Sequence, residues 1–153
     1  MKLLFPGSFD PFTTGHADLV ERALKVADEV VIAIGINENK RALFTVDERS
    51  QAIAAYYSGN KRIRVITYNG LTVDALHMAG CDAILRGVRS VTDFETEREM
   101  CDVNRAIGGA ETLLLVADQS LQHVSSSLVR ELLLFGRPVD GLIIDTFKPF
   151  LKA

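Results

Sequence analysis

Cysteine, basic charge and long apolar runs are all scarce in this chain, and each scarcity excludes something. Two cysteines, Cys81 and Cys101, occur in 153 residues without CxxC-type spacing. They read as two reduced thiols of a cytosolic protein. Lysine and arginine number 17 against 20 acidic residues, a formal net charge of −3, so no nucleic-acid polymer is expected as a partner. A small phosphorylated ligand needs only a local cluster of cations and stays open. No apolar run approaches the roughly 20 residues of a membrane span, and the first one meets Pro6 and Gly7 too soon for a signal peptide. A cytoplasmic protein without membrane contact is the expectation. Also missing are GxGxxG, GxxxxGK[ST], GxSxG and HExxH. Their absence removes the dinucleotide fingerprint, P-loop NTPases, nucleophile-elbow hydrolases and zincins. No repeat, low-complexity linker or break in composition divides the chain, so residues 1–153 are expected to form one domain.

Present instead is an alternation of short apolar runs and amphipathic stretches. Leu3–Phe5, Val30–Ile34, Ile63–Ile66, Ala83–Leu85 and Thr112–Val116 read as strands. Between them, Leu19, Val20, Ala23, Leu24 and Ala27 recur at helical spacing after Thr14, the candidate N-cap. Thr45 and Glu48 have capping-box spacing and predict a helix from Val46 toward Tyr57. Further helices are expected over Thr72–Met78, over Thr92–Ile107, and after Ser125, the last with Leu128, Leu132 and Phe135 on one face. A short helix should end the chain, its boundaries disturbed by Pro149. Continuous apolar strands alternating with helices imply a parallel sheet covered on both faces. The fold class is therefore α/β, a Rossmann-like, doubly wound, five-stranded parallel sheet with its ligand beyond the strands' carboxyl ends.

Three stretches fall just after strands and should meet at that edge: Gly7–His16, Arg86–Arg89 and Asp118–Arg130. Lys40 and Arg41, in the loop after the second strand, can reach the same crevice. A strand turning sharply into a helix N-terminus exposes free backbone N–H groups, a ready anion site. His16 sits in that helix's first turn, and Gly15 lets a phosphate approach the backbone. Each residue also has a plainer reading. His16 could make only a structural hydrogen bond, Lys40 and Arg41 could be solvated loop charges, and Ser125–Ser127 could be surplus caps. His77 and His123 read as structural or solvent-facing, with His123 the better placed before the serines.

Taken together, Pro6-Gly7-Ser8-Phe9-Asp10-Pro11, Thr14-Gly15-His16, Lys40, Arg86-Gly87-Val88-Arg89 and Ser125-Ser126-Ser127-Leu128-Val129-Arg130 resemble the nucleotidyltransferase superfamily with (H/T)xGH and ISSSxxR signatures. Asp93–Glu97 sharpens the resemblance toward the bacterial phosphopantetheine adenylyltransferases, over essentially the whole chain. That resemblance implies reversible transfer of AMP from ATP to 4′-phosphopantetheine, giving dephospho-coenzyme A and pyrophosphate. It implies Ser8, Phe9 and His16 at the nucleotide, with Gly87, Val88, Arg89, Glu97, Leu121, Gln122, His123, Val124, Ser125, Ser126 and Ser127 enclosing ATP. Ser8, Lys40, Thr72 and Arg86 would hold the acceptor, and His16 would stabilise the transition state. Mg²⁺ carried by ATP and a homohexamer are further implications. Two departures stand out: Leu121-Gln122-His123-Val124 replaces an aromatic and Phe-Ile pair of many relatives, and Val124 stands for the signature isoleucine. The nucleophile, a phosphate oxygen, is already ionised near neutrality. Catalysis should thus rest on positioning and on a positive field from His16, Lys40, Arg86, Arg89 and the helix N-terminus. Rival readings are another acceptor, nicotinate mononucleotide or glycerol 3-phosphate, or a nucleotide-binding module without catalysis.

Overall fold

In the computed structural model, which describes residues 1–152, apolar side chains decide the layering. Strand β1 (Lys2–Gly7) is followed by α1 (Thr14–Ala23), β2 (Glu29–Gly35), α2 (Val46–Tyr56), β3 (Ile63–Tyr68), α3 (Thr72–Ala79), β4 (Ala83–Val88), α4 (Val91–Gly108), β5 (Glu111–Val116) and α5 (Ser126–Leu134). Short 3₁₀ helices cover Gln119–Leu121 and Asp145–Phe150, the second with Pro149 inside it. All five strands are parallel, in the order β3-β2-β1-β4-β5. Alternate residues of the central strands feed two cores. Leu3, Phe5, Val30, Ile32, Ile34 and Leu85 face α1, α2 and α5, while Leu4, Val31, Ala33 and Ile84 face α3. This is the doubly wound arrangement expected from the alternation of elements.

The order reverses between β1 and β4, and there the sheet opens. β1 pairs with β2 as far as Gly7 with Ile34, yet with β4 only at Leu3–Ala83 and Leu4–Ile84. Beyond these residues the two central strands part, forming the crevice expected at a topological switch point. Pro6, in the middle of the sheet, is tolerable because its carbonyl faces this gap, where it accepts from Arg86; the nitrogen beside it would have found no ladder partner.

Three expectations need correction. β4 does not end at Leu85 but carries Arg86, Gly87 and Val88 within it, paired to Leu114, Leu115 and Val116 of β5. The α1 cap is Thr13, not Thr14, because the Thr13 hydroxyl accepts from the His16 amide. On α5 the buried residue is Val129, with Leu132 and Leu133 packed beside it, whereas Phe135 is 68% exposed. The chain after Phe135 turns away to pack on α2, where Thr146 donates to Ala52 O at 2.6 Å, and Phe147 meets Phe44 just ahead of that helix with ring centroids 5.1 Å apart. Thr14 N–H donates to Leu142 O at 3.0 Å, so this C-terminal segment also anchors the start of α1.

Candidate active site

The turn after β1 is held in a conformation its own sequence disfavours. Phe9 has φ +51°, left-handed for a non-glycine residue. Its ring folds back over Gly7, where a Cβ would lie 2.9 Å from the ring, so only glycine fits there. The strain is contained by contacts from four directions. Arg49 donates to Ser8 O at 2.6 Å, and Arg130 to Asp10 O at 2.9 Å. Leu43 and Phe44 N–H each donate to the Asp10 carboxylate at 2.8 Å, and Ser126 Oγ donates to Pro11 O at 2.7 Å. Asp10 and Arg49 are both buried.

His16 occupies the third position of α1 and completes a reciprocal capping box. The His16 amide donates to Thr13 Oγ1 at 3.3 Å, and Nδ1 of the ring accepts from the Thr13 amide at 2.9 Å. An imidazole thus does what glutamate or glutamine usually does at this position. Since Nδ1 accepts from a backbone N–H, the ring is neutral and its one proton sits on Nε2. Phe9, Phe12 and Phe5 surround it, with centroids at 5.1, 5.2 and 6.0 Å. Burial, reinforced by the fields of Arg86 and Arg89, lowers its pKa to about 3. The expectation that His16 contributes positive charge is therefore corrected. It offers a fixed N–H, not a cation.

Two cavities meet at the end of β1. One, of about 350 Å³, is bordered by His16, Lys40, Arg89, Asp93, Arg130 and the N-termini of α1 and α5. The other, of about 550 Å³, runs between α3 and α4 past Asn37, Tyr68, Thr72, Met100, Cys101 and Asn104. Pro6, Gly7, Ser8, Arg86 and Glu97 belong to both walls. Arg86 reaches across the open seam of the sheet. It donates from Nε and Nη2 to Glu97 at 3.0 and 2.8 Å, and from Nη1 to Pro6 O at 2.7 Å. Arg89 pairs with Asp93 at 3.2 Å.

Most of the expected residues converge here. Ser8, Phe9, His16, Gly87, Arg89, Glu97, Leu121, Val124, Ser125, Ser126 and Ser127 all border the smaller cavity. Gly87 is required by packing as well, since a Cβ there would come within 2.4 Å of Leu19 Cδ1 on α1. Ser8, Arg86 and Thr72 border the larger one, where the Thr72 hydroxyl lies 3.1 Å from that of Tyr68. Lys40 borders the smaller cavity, not the larger one that Thr72 lines. Val88 is buried, and Gln122 and His123 are exposed; none of the three borders either cavity. The serines have three separate tasks: Ser125 caps α5, Ser126 tethers Pro11, and Ser127 accepts from Arg130. The roles of Thr13, Asp10 and Arg49 were not among the expectations. The spacing of Thr13 to His16 was a usable signal, because it is that of a capping box.

Among the described residues no group of three or more His, Cys, Asp or Glu could hold a metal ion. No helix among them is long and apolar enough to cross a membrane.

An anion-ready crevice at the switch point of a parallel sheet, flanked by TxGH and a serine-capped helix, defines a nucleotidyltransferase. The chain belongs to the cytidylyltransferase-like family, whose model matches residues 4–132. Within that class it is similar to curated enzymes of one kind over nearly its whole length. It is 54% identical over 144 residues to phosphopantetheine adenylyltransferase of Porphyromonas gingivalis, covering 94% of each chain. To the phosphopantetheine adenylyltransferase of Bacteroides thetaiotaomicron it is 46% identical over 142 residues, covering 93% of this chain and 94% of that one. Among solved structures, it resembles a bifunctional NMN adenylyltransferase/ADP ribose pyrophosphatase from Francisella tularensis, complexed with AMP and Mn ion, with a TM-score of 0.69. The identity there is 16%, with 93% of this chain and 44% of that one covered, and the likeness bears on the fold alone.

Proposed function

We propose that the chain, as one domain over residues 1–153, transfers the adenylyl group of ATP to 4′-phosphopantetheine, giving dephospho-coenzyme A and pyrophosphate. The observation that carries this reading is the common wall of the two cavities, where Ser8, Arg86 and Glu97 stand between His16 on one side and Thr72 on the other. ATP would occupy the smaller cavity, its phosphates facing the N-termini of α1 and α5. Gly15 supports this, because a Cβ there would meet nothing closer than 3.5 Å in the protein. The packing tolerates a side chain at that position; a phosphate against the backbone would not. The acceptor would lie in the larger cavity, with its phosphate at Ser8 and Arg86.

In the reaction, a phosphate oxygen of the acceptor bonds to the α-phosphorus as the bond to the oxygen bridging the β-phosphorus breaks. The electron pair leaves with pyrophosphate. The nucleophile is ionised near neutral pH and needs no base, and His16, with Nδ1 engaged by Thr13, is not available as one. Its Nε2–H instead meets charge developing on the α-phosphate oxygens, a donor organised before substrate arrives. Lys40, Arg89 and Arg130 supply the cationic field. The carboxylates at the cleft are engaged, Glu97 by Arg86, Asp93 by Arg89 and Asp10 by backbone amides. With these carboxylates engaged, Mg²⁺ would come with the ATP phosphates and neutralise part of their charge.

The same reading includes a cytoplasmic homohexamer. Val91, Phe94, Val103 and Ile107 on α4, with Leu113 and Val116 on the edge strand β5, are exposed apolar residues that self-association would cover. The test of activity is pyrophosphate release from Mg-ATP with 4′-phosphopantetheine, nicotinate mononucleotide or glycerol 3-phosphate as acceptor. Release with the first alone is expected. Release only with another acceptor would overturn the assignment, and silence with all three would leave a nucleotide-binding module.

A further inference from the structure

We propose that Cys101 is a thiol–disulfide exchange site at the inner end of the larger cavity, where it takes the oxidised form of a thiol-ended acceptor as a mixed disulfide. The cavity has two distinguishable ends. At one, Ser8 and Arg86 stand in the wall shared with the smaller cavity. From there it runs back along the β4–β5 pair, where Ile84 and Thr112 line it. These two residues are paired, and Ile84 lies two residues, about 7 Å, before Arg86. On α4, Cys101 and Asn104 line it one and two turns beyond Glu97. Cys101 therefore lies away from the phosphate end, beside two polar groups that no other part of the protein engages. Asn104 is 8% exposed; its carbonyl accepts from Ala110 N–H at 3.3 Å, but its carboxamide has no hydrogen-bond partner among the described residues. The Thr112 hydroxyl is buried and also lacks a partner. Buried polar groups left open cost stability until a ligand meets them, so this end suits a chain that carries polar groups of its own. Met100, next to Cys101 in the wall, is 49% exposed, so the cavity opens to solvent there. Cys81, in the core beneath α3, borders neither cavity.

The inference rests on the adenylyl-transfer reading for the identity of the ligand: 4′-phosphopantetheine ends in a thiol, and its oxidised form is two such chains joined through sulfur. The Cys101 thiolate attacks one sulfur of that disulfide. A bond from Sγ forms as the old S–S bond breaks, and the electron pair leaves on the second chain as a thiolate. That thiolate takes up the proton Cys101 released, so one disulfide replaces another and no outside oxidant is consumed. The opening beside Met100 gives the departing chain a way out. The retained chain fills the cavity and shuts out reduced acceptor until a thiol reductant removes it.

The test is mass spectrometry of the full-length, reduced protein mixed with 4′-phosphopantetheine disulfide or with the same disulfide lacking its phosphates. One chain should add at Cys101, at least tenfold faster from the phosphorylated disulfide, and Cys101→Ala and Cys101→Ser should take none. Each protein's pyrophosphate release is then compared with its own untreated rate. The wild type should fall at least tenfold and recover with dithiothreitol, its ATP affinity should stay within about threefold, and both variants should keep their untreated rates. No adduct at Cys101, equal rates from the two disulfides, or equal inactivation of Cys101→Ala would each overturn the site. An untreated enzyme that ignores 4′-phosphopantetheine, yet takes the phosphate-dependent adduct at Cys101, would sink the acceptor assignment and keep the exchange site.

Discussion

Replacing His16 by alanine removes two things that can be told apart. One is the Nε2–H aimed at the cleft; losing a single preorganised donor to a developing oxyanion costs about 10²–10³ in kcat. The ATP KM should move less than about tenfold, because the interaction strengthens mainly in the transition state. The other is the Nδ1 acceptor of the capping box. Without it the amide of Thr13, a residue 1% exposed, loses its partner, at a cost of about 1–3 kcal/mol. For a chain of this size each kcal/mol lowers Tm by about 2–4 °C. His16→Gln separates the two. A glutamine at this position can reach back to the Thr13 amide, which turns its carboxamide away from the cleft. Calorimetry should show most of the lost Tm restored in His16→Gln, while a pyrophosphate-release assay shows kcat still depressed at least a hundredfold. Recovery of rate together with stability, or a kcat of His16→Ala within tenfold of wild type, would refute the assignment of the ring to the transition state.

Other outcomes follow from the same geometry. In ¹⁵N spectra the ring of His16 should remain a neutral Nε2–H tautomer down to pH 5, consistent with its pKa of about 3; a midpoint above 5 or an Nδ1–H tautomer would contradict the capping box. The unfolded chain titrates His16 near 6.5, so its contribution to stability is fully present above that pH and declines as pH falls toward 3. The Tm slope between pH 6.5 and 4.5 should accordingly be shallower in His16→Gln. Gly87→Ala should destabilise by about 1–3 kcal/mol through overpacking, since the new Cβ would sit 2.4 Å from Leu19 Cδ1; denaturant titration should show partial recovery when Leu19→Ala is added. Cys81 is buried and its thiol is pushed up by desolvation, whereas Cys101 borders the larger cavity. A thiol reagent should therefore label Cys101 first and reach Cys81 only on unfolding.

Much of this protein was written locally. The apolar runs at Leu3–Phe5, Val30–Ile34 and Thr112–Val116 and the Thr45–Glu48 box mark their elements because strand burial and helix capping act over a few residues. The alternation of elements then implies the parallel, doubly wound sheet, and with it the edge where Gly7–His16, Arg86–Arg89 and the serines gather. What lay beyond local rules depends on neighbours distant in the chain. β4 continues through Arg86 because β5 supplies its ladder on one side while β1 has already departed on the other. Phe135 has helical spacing yet stays in solvent because the chain after it leaves to pack on α2. Arg49, 41 residues from Ser8, holds the turn after β1. Residue types and spacing alone determined which groups could meet a phosphate. Only the tertiary structure decided their states: burial among three phenylalanines and two nearby arginines leaves His16 a neutral donor, and the open seam of the sheet is what gives Arg86 a carboxylate and a carbonyl to hold it.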